Sequence, residues 1–372
     1  MNRILFILLM FTTTLTFAQE VPDPETLKPG SKAPDFNLPG IDGKNYSLQS
    51  FSDAKILVFI FGATHCPTAQ AYEDRIIKIQ NDFKEKGLQV VMISPNAPYS
   101  VCLEENGYTD LGDTFEEMKI RAKDKGYNFP FLYDGDTEEM SIKYGPVATP
   151  HTFIFDQDRI LRYVGRIDDS EKIGTEKIHD ARNAIEAILA GKEVEVKQTK
   201  VFGCSIKWKW KDGYRKTLDE QWTKKEIPLN ELSVAGLKEL LKNDTENLLV
   251  INIWATWCGP CIAEMPAFVD TYRMFMGRDF DMVTISTDKL SIKDKVQKFL
   301  EEKNAALTNN YIYGDENKYD LIEAIDPEWQ GQIPYTLFVE PGGKIYYRHS
   351  GGIMPLTLRK KIVDHPLIGR YF

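Results

Sequence analysis

The apolar run Leu248-Leu249-Val250-Ile251-Asn252-Ile253-Trp254 leads, through Ala255-Thr256, into Trp257-Cys258-Gly259-Pro260-Cys261. A run of that length and composition reads as a strand covered on both faces, and the motif after it reads as a helix start. Two thiols separated by two residues close into a disulfide with little chain movement. A helix that begins at the motif lowers the first thiol's pKa through its unpaired N–H groups and its dipole. The same spacing also serves zinc, but a zinc site needs a second pair of Cys or His ligands at suitable spacing, and His349 and His365 stand singly. The motif therefore points to electron transfer through sulfur, with no metal and no cofactor.

Around this motif the chain predicts a helix from Ile262 to about Met276, a strand 281–286 and a helix 292–302. Ile333-Pro334 then leads into a strand 335–340, Gly342-Gly343 turns the chain into 344–348, and a last helix follows Pro355. The same order occurs earlier with matching punctuation. Ile56-Leu57-Val58-Phe59-Ile60-Phe61 is a buried strand, Cys66-Pro67 opens a helix to about Lys86, and 88–94 is the next strand. A helix 114–125 follows, then Thr149-Pro150, a strand 151–155, a returning strand 161–166 and a helix 180–190. Each unit places a Cys after its first central strand and an X-Pro before a later one. The expected fold class is α/β, with two tandem thioredoxin-like domains, each a central mixed β-sheet flanked by helices.

The 372 residues suffice for two such domains, each with its own core. The expected division is a signal peptide 1–18, an extended arm 19–27, a first domain 28–198, a connecting segment 199–226 and a second domain 227–372. The signal peptide is read from Asn2-Arg3, the apolar stretch Ile4 to Phe17 and the small residues of Thr16-Phe17-Ala18. That stretch is short of the roughly 20 residues a membrane span needs. Export to a Gram-negative periplasm, soluble after cleavage, is the expectation. A net charge of −9 argues against nucleic acid. The local basic stretch Lys207-Trp208-Lys209-Trp210-Lys211 alternates with period two, as in a half-buried strand.

Export also gives the cysteine count meaning, because disulfides form in an oxidising compartment. Of five cysteines, Cys258 and Cys261 make one pair, leaving Cys66, Cys102 and Cys204 with at least one thiol unpaired. Cys66 stands where Cys258 stands in the other unit, but Ala69 follows three residues later, so no local disulfide closes there. A lone Cys at a helix start beside His65 reads as an activated thiolate, or as an inert buried residue of a domain without activity.

Residues 254–261 with Glu264 resemble the TlpA/ResA branch of exported thioredoxin-like proteins, over most of 230–372. That resemblance implies Cys258 as exposed nucleophile, Cys261 as resolving thiol, and Trp257, Gly259 and Pro260 as the motif's frame. It implies Glu264 as the proton-handling carboxylate, with an ordinary surface Glu as the alternative. Pro334 would be the cis-proline that receives the substrate chain. Residues 30–36, 64–75, 145–166 and 202–208 resemble redoxin/peroxiredoxin-like proteins of the alkyl hydroperoxide reductase (AhpC/TSA) class, over about 28–210. There Cys66 is the candidate reactive thiol, supported by His65 and Pro150. Ala63 and Phe59 depart from that class's Pro-x-x-x-Thr/Ser-x-x-Cys. Cys204 falls within the resembling segment, on a stretch expected to be flexible enough to return to Cys66. Cys102 is the competing partner.

The combined expectation is an exported thiol-disulfide oxidoreductase, acting as a disulfide reductase through Cys258 and Cys261 with a relay of electrons to Cys66. Its partners would be protein disulfide clients and a membrane thiol-disulfide electron donor. Two alternatives stand beside it: a thiol peroxidase in which Cys66 meets peroxide and the second domain is its reductant, and a first domain that only binds clients or partners.

Overall fold

Alternation along the two central strands decides the architecture. The computed structural model describes residues 21–314 and 317–371, and the expected signal peptide lies outside the described residues. Strand Ile56–Phe61 is buried along its whole length. Ile56, Val58 and Ile60 face a cluster with Tyr72, Ile76, Ile79 and Phe83 of the helix Pro67–Phe83. Leu57, Phe59 and Phe61 face the opposite cluster, with Phe36, Met140 and Tyr144. Strand Leu248–Trp254 divides likewise. Leu248, Val250 and Trp254 meet Met265, Phe268 and Val269 of the helix Gly259–Phe275, whereas Leu249, Ile251 and Ile253 meet Leu237, Leu321 and Ile325. A strand with helices on both sheet faces has no polar side, which explains the unbroken apolar runs.

The first sheet has five strands in the spatial order Phe131–Tyr133, Leu88–Ser94, Ile56–Phe61, His151–Phe155, Leu161–Gly165. The first three run parallel, His151–Phe155 runs against them, and Leu161–Gly165, antiparallel to it, returns to their direction. The second has six, in the order Asn230–Leu232, Asn309–Tyr313, Phe280–Ser286, Leu248–Trp254, Tyr335–Glu340, Lys344–Ser350. Here the first four run parallel, Tyr335–Glu340 runs against them, and Lys344–Ser350, antiparallel to its neighbour, returns to their direction. In both, the strand after X-Pro pairs antiparallel with the central strand, Phe61 opposite His151 and Ile253 opposite Tyr335. That register brings Pro150 and Pro334, both after cis peptide bonds, to the sheet end from which the cysteine-bearing helix starts. Ser233 caps the helix Val234–Lys242, its Oγ accepting from the Gly236 N–H at 3.2 Å.

The segment between the sheets is docked on both units. Residues Cys204–Ser205 form a short strand antiparallel to Ala148–Thr149, so the stretch expected to be flexible is held in place. The Lys207–Lys211 stretch is not a strand: Lys209–Lys211 form a 3-10 turn. The Lys209 N–H donates to Glu138 Oε1 at 2.7 Å instead of to a ladder, and the Trp208 and Trp210 rings stack at 4.9 Å. The two indoles do lie together, as the period-two pattern suggests, by stacking. Further on, the helix Asp212–Trp222 inserts Trp222 into the second unit's core, its Nε1 donating to Asn304 O at 2.9 Å.

The units touch through a loop of the first and the far end of the dithiol helix. Arg273 Nε donates to Glu104 Oε1 at 2.9 Å and its Nη2 to Asp219 Oδ1 at 2.7 Å. The Arg278 guanidinium lies 4.0 Å from the Tyr108 ring centre and donates to Gly107 O. Arg370 pairs with Asp110 at 2.7 Å. Among the described residues no helix is long and apolar enough to cross a membrane.

Candidate functional site

The two cysteine sites share one backbone device. Cys258 is the N-cap of Gly259–Phe275, and its sulfur accepts from the Cys261 N–H at 3.3 Å. Cys66 is the N-cap of Pro67–Phe83, and its sulfur accepts from the Ala69 N–H at 3.3 Å. In each, proline in the first turn gives up an N–H that would have no intrahelical partner. The orphan N–H groups of a helix start are aimed at the sulfur in both, which favours the thiolate.

In the second unit Cys258 and Cys261 are joined as a disulfide, with Cα atoms 5.3 Å apart. Trp257 is 69% exposed beside them, while Gly259 and Pro260 form the helix's first residues. Glu264, one turn beyond Cys261, is buried. Its Oε1 accepts from Asn252 Nδ2 at 3.0 Å and its Oε2 from the Ile353 N–H at 3.0 Å. Burial holds its carboxyl above the usual range, more than those two donors lower it. Glu264 is thus a buried acid beneath the dithiol, with Asn252 as its partner on the central strand.

At the first site Cys66 is fully buried among Ala63 and Ala69, with Cys204 packed against them. Its thiol lies 3.3 Å from Thr149 O. The strand pairing sets Cys204 opposite Thr149, which packs it against Cys66. Cys102 is buried elsewhere, at the turn Leu103–Glu105 facing the second unit, and burial next to Glu105 pushes its thiol up to about 11. Of the two candidate partners for Cys66, the fold supplies Cys204.

His65 is tied to a residue that the sequence did not single out. Its Nδ1 stands 2.6 Å from Asp113 Oδ2, and both side chains are buried. Asp113 also accepts from the Thr64 N–H at 2.7 Å, Thr64 Oγ1 at 2.7 Å, the His65 N–H at 3.0 Å and Asn96 Nδ2 at 2.7 Å. Burial alone would keep Asp113 protonated, but the His65 charge and these donors hold it well below the usual carboxylate range. Burial likewise opposes charging His65, yet Asp113 raises its pKa. Cys66 feels both results. Burial disfavours its thiolate, and the Cys204 thiol, the His65 charge and the Ala69 N–H outweigh it, bringing the pKa to about 6. The Cys204 proton is held correspondingly more tightly. His151, behind Pro150, has its pKa lowered to about 3 by burial, which keeps it neutral near pH 7.

Asp113 was not legible as part of the site because Gly112-Asp113-Thr114 reads as a helix entry. Thr114 and Glu117 do form a capping box there. An acidic residue directly before an N-cap that is not needed for capping was the available signal.

These sites have relatives. The profile of the AhpC/TSA family matches residues 29–164 and 224–348, one segment in each unit. A protein of Mycobacterium tuberculosis strain H37Rv, whose name assigns it provisionally to the peroxiredoxins, is 30% identical over 151 residues, 40% of this chain and 82% of that protein. The thiol-disulfide oxidoreductase ResA of Oceanobacillus iheyensis is 32% identical over 97 residues, 26% of this chain and 46% of that one. Among solved structures, a hypothetical protein of Sinorhizobium meliloti 1021 is 32% identical, covering 50% of this chain and 97% of its own, with a TM-score of 0.44. With the family profile matched over well more than half its length, the chain belongs to the AhpC/TSA family.

Proposed function

We propose that this thiol-disulfide oxidoreductase is an exported disulfide reductase whose working pair is Cys258 and Cys261. The observation that carries the reading is the dithiol at a helix N-terminus, with Trp257 exposed beside it and Glu264 buried one turn further on. The Cys258 thiolate attacks a client's disulfide, forming a mixed disulfide and releasing one client thiolate. Cys261 then attacks Cys258, freeing the second client thiol and leaving the Cys258–Cys261 disulfide. Glu264 takes the Cys261 proton as that second attack begins, a role its raised pKa suits. A membrane thiol-disulfide donor restores the dithiol. In the same reading Cys66 and Cys204 form a second redox pair that draws electrons from the first.

The test is reduction of a protein disulfide by the full-length protein. Cys258→Ser is expected to abolish turnover; turnover that survives it would sink the reading. A reduction potential for the Cys258/Cys261 pair near −120 mV instead of about −270 mV would reverse the direction of electron flow. The low pKa of Cys66 and its His65–Asp113 support favour a second reading, in which Cys66 reduces a peroxide and the second unit regenerates it. Peroxide consumption by wild type, lost in Cys66→Ser, would establish that activity.

A further inference from the structure

The two cysteine sites differ in what covers them. Next to Pro334, no described strand pairs with Gln332 or Ile333, and Trp257 is exposed. Next to Pro150, the chain's own Cys204–Ser205 strand fills the equivalent edge. It is pressed close: a Cβ on Gly203 would stand 2.0 Å from Thr149 O. Cys66 is sealed by that strand, by Ala63 and Ala69, and by the Thr149 carbonyl. A solvent cleft of about 680 Å³ opens on the other side of the pair, lined by Pro67, Thr68, Glu171, Phe202 and Gly203. Half-buried Cys204 lines this cleft, whereas Cys66 is fully buried and is not on its wall.

We infer that Cys204 is the sulfur through which this second redox pair exchanges with an incoming thiolate, Cys66 being the leaving group. The inference rests on the Cys66–Cys204 pairing of the reading above. A thiolate entering the cleft attacks Cys204 Sγ, a bond forms between the two sulfurs, the Cys66–Cys204 bond breaks, and Cys66 departs as thiolate. A second thiolate attacks the mixed disulfide, leaving as the oxidised disulfide, and Cys204 takes a proton from solvent. Two electrons pass from two incoming thiols to the Cys66–Cys204 disulfide. The departing sulfur is the one whose negative charge is supported by the Ala69 N–H and by His65, and a sulfur that better holds charge leaves faster. This order is the reverse of that proposed for the second unit, where the helix N-cap sulfur, Cys258, is the one attacked. Glu171 and Asp169 line the cleft mouth, so a cationic small thiol suits it better than an anionic one.

The experiment uses full-length protein oxidised with diamide, then pulsed with cysteamine, quenched with acid and mapped by mass spectrometry. A parallel arm replaces cysteamine with a reduced second copy carrying Cys66→Ser, Cys204→Ser and Cys261→Ser, so that its Cys258 forms a stable mixed disulfide. Together the arms separate a small-thiol source from a protein one. The cysteamine adduct is expected on Cys204 over Cys66 by at least about tenfold, given the leaving-group dependence of exchange. In the second arm the expected adduct also joins Cys258 to Cys204. An adduct on Cys66 in either arm overturns the inference while leaving the pairing intact. Failure of diamide to join Cys66 and Cys204 refutes the pairing itself. Because Cys66 can leave only from that disulfide, the same failure overturns the inference with it, whereas an adduct on Cys66 in protein that does form the disulfide overturns the inference alone.

Discussion

Replacing Asp113 by Asn perturbs the Cys66 thiol without touching it. Asp113 presents two oxygens to five donors, with Oδ2 shared between His65 Nδ1 and Asn96 Nδ2. An Asn keeps one acceptor for Thr64 and the His65 N–H, but its amide nitrogen would face a second donor. The conflict with His65 is relieved when its ring becomes neutral, with Nδ1 accepting, and Asn96 Nδ2 must turn away. Cys66 then loses the positive neighbour that opposes its burial, while the Ala69 N–H and Cys204 remain. Starting from about 6, its pKa is expected to rise by at least about one unit, roughly 1.4 kcal/mol in favour of the thiol. At pH 7 the thiolate fraction would fall from about nine-tenths to about half or less; reaching the ordinary value of about 8.5 would leave only about three per cent. The assay is thiolate ultraviolet absorbance against pH in reduced Cys258→Ser/Cys261→Ser protein. There Cys102 and Cys204, both raised, titrate later. The sign is fixed by the depressed pKa: the thiolate is present above about pH 6 and is lost as pH falls through it. A parent midpoint in the ordinary thiol range, or one that Asp113→Asn leaves in place in a protein still folded by circular dichroism, refutes the argument.

Gly203→Ala puts a Cβ 2.0 Å from Thr149 O at a backbone φ of +142°, a strain of about 1–3 kcal/mol. The Cys66–Cys204 disulfide should form more slowly after diamide, read by alkylation and mass mapping; unchanged yield would show that the strand need not be so close. Glu264→Gln retains the carbonyl for Asn252 or Ile353 but cannot take a proton at pH 7. Turnover through Cys258 should fall and its pH profile lose the carboxyl's limb, while stability drops by about 1–3 kcal/mol for the one donor left facing the amide nitrogen. Trp222→Ala empties a core position of the second unit and should cost about 3–5 kcal/mol in denaturant unfolding; a loss under about 1 kcal/mol would mean the helix Asp212–Trp222 is not part of that core.

The central strands and the redox motif were legible because double-sided burial and the Cys-Gly-Pro-Cys spacing are local signals. Ile56–Phe61 and Leu248–Trp254 needed no knowledge of the rest of the chain. The Lys207–Lys211 stretch misled because alternation reports which side chains share a face, whereas the backbone N–H of Lys209 is claimed by Glu138, far away in sequence. Asp113 and Asn96 escaped for the same reason: their part in the site depends on loops brought against His65 by the sheet. Cys204 was a candidate from its count and segment, but only the ladder with Ala148–Thr149 explains why it, and not Cys102, meets Cys66.

The grip between the units has a kinetic consequence. It holds the dithiol helix at Arg273, opposite the end that carries Cys258, and fourteen residues of helix separate Gly259 from Arg273, about 21 Å at the usual rise. None of the described inter-unit bonds involves Trp257, Cys258 or Cys261. Sulfur exchange needs bonding contact, so electrons travelling from Cys258 to Cys204 meet one of two rate laws. Passage between two molecules is second order in protein and its half-time shortens on concentration. Passage within one molecule waits for the Arg273 contact to open and has a half-time independent of concentration. A dilution series therefore reports which geometry carries the current.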